Sequence, residues 1–187
     1  MPIINTSRLC LREWRIEDLS SFAKINADKQ VMKYYPRTLA WEETEGHYKR
    51  IKRHFEQYGF GLWALEERIS GRFIGYVGFQ WTNFKAEFTP CIEIGWRLAK
   101  KYWRRGYATE AANACLDFGF RKLDLEEVYS FTAAINIPSE GVMNKIGMNK
   151  IGEFDHPKVD SKSKLYRHVL YLIKVDQWAK KAEEIDL

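Results

Sequence analysis

Cysteine is scarce in this chain, and metal-binding or redox spacing is missing altogether. Cys10, Cys91 and Cys115 are odd in number, far apart and set among apolar neighbours, and no CxxC or Cys/His cluster occurs. The sequence therefore supports neither a disulfide framework nor a zinc site, and no metal is expected. Long apolar runs are lacking too. None approaches the ~20 residues a membrane helix needs, and the first residues do not follow the basic-then-apolar order of a secretion signal. The expectation is a cytoplasmic protein with no membrane partner. Repeats, low-complexity tracts and linkers are also missing, so one domain over 1–187 is expected, with a core at about 7–175 and a C-terminal tail at 176–187. The net charge of +5 comes without strong concentration, the basic clusters at 49–53, 100–105 and 158–164 being modest. A nucleic-acid binder usually gathers its charge more tightly. What the chain does hold is apolar: hydrophobic residues make up 45% and aromatics 15%, enough for a sizeable core and too much for disorder.

Periodicity places the elements. Residues 8–14 alternate as a half-buried strand, and a helix follows from Glu17 to about Ala27. Between Trp41 and Tyr58 apolar residues recur at steps of three and four, which predicts an amphipathic helix ended by Gly59. Segments 61–67 and 72–81 flank Ser70-Gly71 as an antiparallel hairpin. Gly75 and Gly78 hint at a bend or a close neighbour there. A strand at 92–98, a helix from Gly106 to about Lys122, a strand at 127–134, a short helix ended by Gly147 and strands at 148–154 and 165–175 complete an α/β (α+β) pattern.

Residues 93–111 are the most informative stretch. An apolar strand passes through a basic turn containing Gly106 into an alanine-rich helix. Such a junction leaves several backbone N–H groups unpaired at the positive end of the helix dipole, a socket for a diphosphate.

The residues at 103–111, Trp-Arg-Arg-Gly-Tyr-Ala-Thr-Glu-Ala, resemble the acetyl-CoA diphosphate turn of the GNAT (GCN5-related) acyltransferases. Asn136-Ile137-Pro138-Ser139, followed by 142–148, resembles the Asn-x-x-Ser…Lys-x-Gly-Phe signature of the RimJ/RimL-like branch, which acetylates ribosomal-protein N-termini. The Arg-Leu-x-Leu-Arg strand at 8–12 and the strand holding 168–171 are similar to that branch as well. The likeness spans about 7–175. It implies the GNAT acyl-CoA N-acyltransferase fold, a central mixed and mainly antiparallel sheet of about seven strands flanked by helices. It also implies an N-acetyltransferase that moves an acetyl group from acetyl-CoA directly to a primary amine, with a protein N-terminus, a ribosomal protein or a small molecule as acceptor. The protein would be a monomer or homodimer. The alternatives are a non-catalytic acyl-CoA sensor and a basic ribosome- or RNA-associated module.

In the turn pattern, Trp103 stands first, Gly106 fourth and Ala108 sixth, with Arg105, Tyr107 and Thr109 filling the rest. The second position, usually glycine in that branch, is Arg104. It reads either as a solvated arginine on a turn needing no positive φ, or as an extra cation near the diphosphate. The resemblance assigns the pantetheine arm to the main chain of Trp96, Arg97 and Leu98, with Asn136 helping. Asn144 and Lys145 either approach the adenosine end or form a solvated helix face.

Acetyl transfer needs a neutral amine, oxyanion stabilisation and a proton for the leaving thiolate. Glu93 is the first candidate base, against a reading as a rim carboxylate or salt-bridge partner; Glu13 and Glu87 are reserves. Ser139 is the candidate acid, against a reading as a helix cap. Glu110 is expected to stabilise the first turn of its helix. Trp41, Trp63, Trp81 and Phe84 are candidates to line the acceptor side.

Overall fold

Alternating and helical apolar spacing becomes, in the computed structural model, a set of strands and helices described over residues 3–185. In chain order they are β1 (Ile4–Asn5), β2 (Leu9–Arg12), α1 (Asp18–Ala27), α2 (Trp41–Tyr58), β3 (Leu62–Glu67), β4 (Arg72–Thr82), β5 (Cys91–Leu98), α3 (Tyr107–Lys122), β6 (Glu127–Ala133), α4 (Ile137–Lys145), β7 (Asn149–Asp155), β8 (Arg167–Lys174) and α5 (Val175–Ile185), with 3-10 turns at Met32–Tyr34 and Lys100–Tyr102. The strands follow the order β1-β2-β3-β4-β5-β6-β8-β7. The sheet is mostly antiparallel, with β5 and β6 parallel.

Eight strands stand among the described residues where about seven were expected; the extra one, β1, is two residues long and carries no periodicity. Within the 176–187 segment most residues belong to α5, and 186–187 lie outside the described residues.

By contact the chain forms two compact units, residues 1–80 with 95–115, and 81–94 with 116–187. In the first, the α2 stripe buries Tyr48, Ile51 and Phe55, as its spacing predicts. Trp14 packs on Phe22, Tyr48 and Phe73 with ring centroids 4.9, 5.8 and 5.2 Å away, and its indole N–H donates to the Leu62 carbonyl at 2.6 Å. Burying that N–H without an acceptor would cost about 1–3 kcal/mol. Arg12 makes a buried two-pronged pair with Asp18, both bonds 2.8 Å, and donates through Nε to Glu66 at 2.6 Å. The arginine that closes the first strand motif is thus structural. Gly75 has a packing reason: a Cβ there would lie 2.1 Å from the Arg97 carbonyl oxygen.

In the second unit β6 pairs with β8 from Glu127↔Lys174 to Ala133↔His168, and β7 pairs with the other edge of β8. Val128 and Ile173, opposite each other, are fully buried on one face. Asn136 and Glu140 of the α4 region hydrogen-bond Thr132 and Tyr171 on that same face. The alternation turns Tyr129, Phe131, Phe154 and His168 to the other face.

Candidate active site

The turn expected to hold phosphates lies in the first unit. After the 3-10 turn, the amides of Tyr102 and Trp103 donate back to Ala99 and Lys100, and the next main-chain donor with an internal acceptor is Glu110, to the Gly106 carbonyl at 2.9 Å. Among the described residues the amides of 104–109 donate to nothing within the protein. Three of those six residues, Arg104, Arg105 and Gly106, are exposed. A run of free donors ahead of a sixteen-residue helix is the chemistry of an anion socket.

Two residues of this turn are left-handed: Arg104 at φ 59° and Gly106 at φ 79°. The glycine suits its conformation. Arg104 does not, and its φ tells against the one of its two readings in which the turn needs no positive φ. The position where related turns carry glycine keeps a glycine-like backbone here, at a strain of about 1 kcal/mol.

Glu110 does something other than stabilise its helix end alone. Its carboxylate accepts from Thr6 Oγ1 at 2.6 Å, Ser7 Oγ at 3.2 Å, the Arg8 amide at 3.0 Å and Arg8 Nε at 2.6 Å. Arg8 Nη1 in turn donates to the Arg105 carbonyl at 2.9 Å. Residues 6–8 thereby clamp the turn. Tyr107 adds a second strut, its hydroxyl donating to Glu67 at 2.8 Å. A third comes from Trp103, whose indole N–H donates to the Leu98 carbonyl at 2.8 Å, while its ring packs beside Ile25, Val31 and Met32. Of the residues expected along the pantetheine, Arg97 has a buried guanidinium that donates to Asn26 Oδ1 at 2.6 Å and lies 4.1 Å over the Tyr35 ring. Trp96 is half-buried and Leu98 buried.

The candidate acid and base lie in the second unit. Glu93 is half-buried and pairs with Tyr129 across the parallel β5–β6 ladder. Thr82 Oγ1 donates to Glu93 Oε2 at 2.8 Å. Burial raises the carboxyl to about 7, with the threonine bond opposing part of the rise. Beside it, Ser130 Oγ donates to the Ile94 carbonyl at 2.9 Å, so a side chain takes an acceptor that a ladder amide would otherwise use. Glu13 and Glu87 are exposed.

Asn136 caps α4. Its Oδ1 accepts from the Ser139 amide, and its Nδ2 donates to Thr132 Oγ1 at 2.8 Å and Ser139 Oγ at 3.0 Å. Ser139 therefore does not fill the cap position. Its oxygen accepts from Asn136, which leaves the hydroxyl proton free to be donated. Asn144 and Lys145 are exposed on α4, and the Lys145 carbonyl accepts from Lys181 Nζ at 2.7 Å. The structure thus brings Asn136 and Ser139 into contact and sets Glu93 beside Thr82.

Of the aromatic candidates Phe84 joins the face that carries Tyr129. Trp63 is fully buried against Phe55, while Trp41 and Trp81 are exposed. Sequence reasoning missed Thr82, Phe88, Phe154, His156 and His168 as neighbours of this region, since no spacing along the chain relates them. Cys91 and Cys115 are buried with thiols raised by burial, and Cys10 is half-buried. Among the described residues no cluster of His, Cys, Asp and Glu is placed to hold a metal, and no helix is long and apolar enough to cross a membrane.

Residues 8–149 match the family model of the acetyltransferase (GNAT) domain. The chain belongs to the GNAT acetyltransferase family. This acetyltransferase is 33% identical over 151 residues to a Bacillus subtilis protein named as an uncharacterized N-acetyltransferase, YnaD, covering 81% of this chain and 85% of that one. It is 29% identical to the FsC-acetyl coenzyme A-N(2)-transacetylase of Aspergillus fumigatus, over 82% of this chain and 67% of the other. Among solved structures, a GNAT-family acetyltransferase from Bacillus anthracis superposes with a TM-score of 0.77 at 26% identity, covering 94% and 99% of the two chains. Mycobacterium smegmatis RimJ in complex with CoA-disulfide does so at 0.74 and 17%, covering 97% and 95%, a likeness of fold.

Proposed function

We propose that the acetyltransferase moves an acetyl group from acetyl-CoA directly to a primary amine, a protein N-terminus or a small molecule, with no acyl-enzyme. The run of unpaired amides at 104–109 carries this reading. Those donors, with Gly106 open to solvent and the helix dipole behind them, match the linked phosphates of coenzyme A. Trp103, Tyr107 and the Arg8–Glu110 clamp hold the turn in shape, and the main chain of Trp96, Arg97 and Leu98 is assigned to the pantetheine arm. Asn144 and Lys145 are assigned to the adenosine end. A relative named for acetyl coenzyme A and a RimJ fold neighbour with bound CoA-disulfide support the donor. The Asn136-x-x-Ser139 motif supports the RimJ/RimL-like branch, and with it a ribosomal protein among the acceptors.

The acetyl-CoA thioester supplies the carbonyl carbon: a C–N bond forms there and the C–S bond breaks. Glu93 takes the proton the amine must lose. Near pH 7 an α-amine of pKa about 8 costs about 1 kcal/mol to neutralise, against about 4–5 kcal/mol for a lysine. A carboxylate titrating close to 7 is matched to the first task. Ser139, held in place by Asn136, donates a hydrogen bond from its free hydroxyl to the departing thiolate, which takes its proton through that hydroxyl as water reprotonates the serine oxygen.

Incubation of the purified protein with acetyl-CoA and a panel of amines, followed by thiol release, tests the proposal. Turnover with micromolar CoA binding is expected. Failure of both rejects it.

A further inference from the structure

The second unit carries a cluster of half-buried rings outside its fully buried core. Tyr129 and Phe131 of β6, Phe154 of β7 and His168 of β8 share one sheet face, and Phe84 and Phe88 reach it from the 83–90 loop. Phe88 stacks on Tyr129 at 5.9 Å and meets Phe154 at 4.9 Å; Phe84 lies 5.6 Å from Phe131 and 4.8 Å from His156. His156 and His168 are 4.7 Å apart. Each of these rings is half-buried, whereas Val128 and Ile173 on the opposite face are 0% exposed. A ring cluster left only partly buried beside a carboxylate-bearing strand can serve as a recognition surface.

Its position says what it recognises. Glu93, the cross-strand partner of Tyr129, lies on the same face. The loop that supplies both phenylalanines begins after Thr82 and ends before β5, so Thr82 and Glu93 stand at its two bases. Thr89 ties the loop together by accepting from the Ala86 amide and donating to the Ala86 carbonyl. The charge around the face disfavours a polycation. Lys158 lies 6.0 Å over the Phe84 ring, and the Glu127 carboxylate is taken by the Tyr129 hydroxyl at 3.1 Å. Burial, with lesser contributions from His168 and Lys158, holds His156 low, at about 4, and burial lowers His168, so both rings favour the neutral form.

We infer that this face selects acceptors whose primary amine is carried on an aromatic body, which lies against Phe88, Phe131 and Phe154 while the amine meets Glu93. The inference rests on the proposed acetyl transfer and names its acceptor class. Aromatic contacts of this type are worth about two- to tenfold each in binding.

Initial rates with acetyl-CoA and three probes, 2-phenylethylamine, ethanolamine and spermidine, test it. The expected order places 2-phenylethylamine at least about tenfold above the other two in kcat/KM. Phe88→Ala and Phe154→Ala should remove most of that margin, acting through KM for 2-phenylethylamine. Phe88→Leu, which keeps apolar bulk without a ring, guards against a folding defect and should lose the margin in part. A preference for spermidine or ethanolamine, or equal losses on all three probes, overturns the inference. Binding of 2-phenylethylamine to the protein, followed by NMR without acetyl-CoA, separates the two readings. Binding lost in Phe88→Ala sustains the aromatic site even if no transfer occurs, and no binding to the wild type rejects it even if other amines are acetylated.

Discussion

Thr82 and Glu93 are joined at 2.8 Å, hydroxyl to carboxylate, at the base of the loop that carries Phe84 and Phe88. The bond favours the ionised carboxylate, while burial, the larger effect, favours the neutral acid. The kcat/KM profile should therefore rise with pH through about 7 as Glu93 loses its proton. Thr82→Val should move that limb to higher pH. Glu93→Gln should flatten it and lower kcat by about 10²–10⁴; an unaltered limb in this variant would assign the base elsewhere.

The same residue predicts a stability effect of opposite sense. A carboxyl whose folded value stands above its usual 4.5 opposes folding once ionised. The penalty is absent below about 4.5, grows as pH rises and is complete above about 7. Glu93→Gln should raise the Tm at pH 8 and leave it unchanged at pH 4, as read by thermal melts at both values.

Glu110 behaves in the contrary way. Burial raises its carboxyl, but the bonds from Thr6 and Arg8 outweigh that and leave it below the ordinary value. Its contribution is present at neutral pH and lost as pH falls through the lowered value. Glu110→Ala should cost about 2–3 kcal/mol in urea melts at pH 7, and the difference from wild type should shrink in acid.

At the turn, Arg104→Gly should raise stability by up to about 1 kcal/mol by relieving the positive φ. A fall in Tm would mean that the side chain contributes more than the strain it imposes. Gly106→Ala at φ 79° should do the reverse and weaken CoA at least about tenfold by calorimetry, because the substitution disturbs the socket backbone.

Ser139→Ala should lower kcat more than it raises KM. Asn136→Ala should cost about 1 kcal/mol or more of stability, since Asn136 is the helix cap. A Ser139→Ala protein with full kcat at saturating substrate would leave the hydroxyl without a chemical role.

Much of the fold was legible because burial imposes a period on the chain. The α2 boundaries at Trp41 and Tyr58 follow directly from its stripe and from Gly59, whose left-handed φ of 74° ends the helix. The turn before α3 was legible for a related reason: a strand-to-helix junction is local, and its free amides are counted in sequence order. β1 escaped because two residues carry no period. α5 was overlooked at the chain end, although the run 175–185 holds many good helix formers.

Side-chain roles were less legible wherever a partner lies far along the chain. Glu110 was expected to serve its own helix and instead gathers Thr6, Ser7 and Arg8, about a hundred positions away. Trp63 was a candidate for the acceptor side, but the register of β3 turns it into the core against Phe55 and Phe79. Phe84, Phe131, Phe154 and His168 become neighbours only through strand order and the 83–90 loop.

The linear chain alone determined its α/β elements, its basic turn before α3 and the residue types able to carry acyl transfer, because these depend on local period, local turns and intrinsic chemistry. Tertiary structure decided which of those residues do what. Burial sets the acidity of Glu93, register chooses the rings around it, and capping assigns Asn136 to the helix and frees the Ser139 proton. Those outcomes depend on distances through space, which sequence separation does not encode.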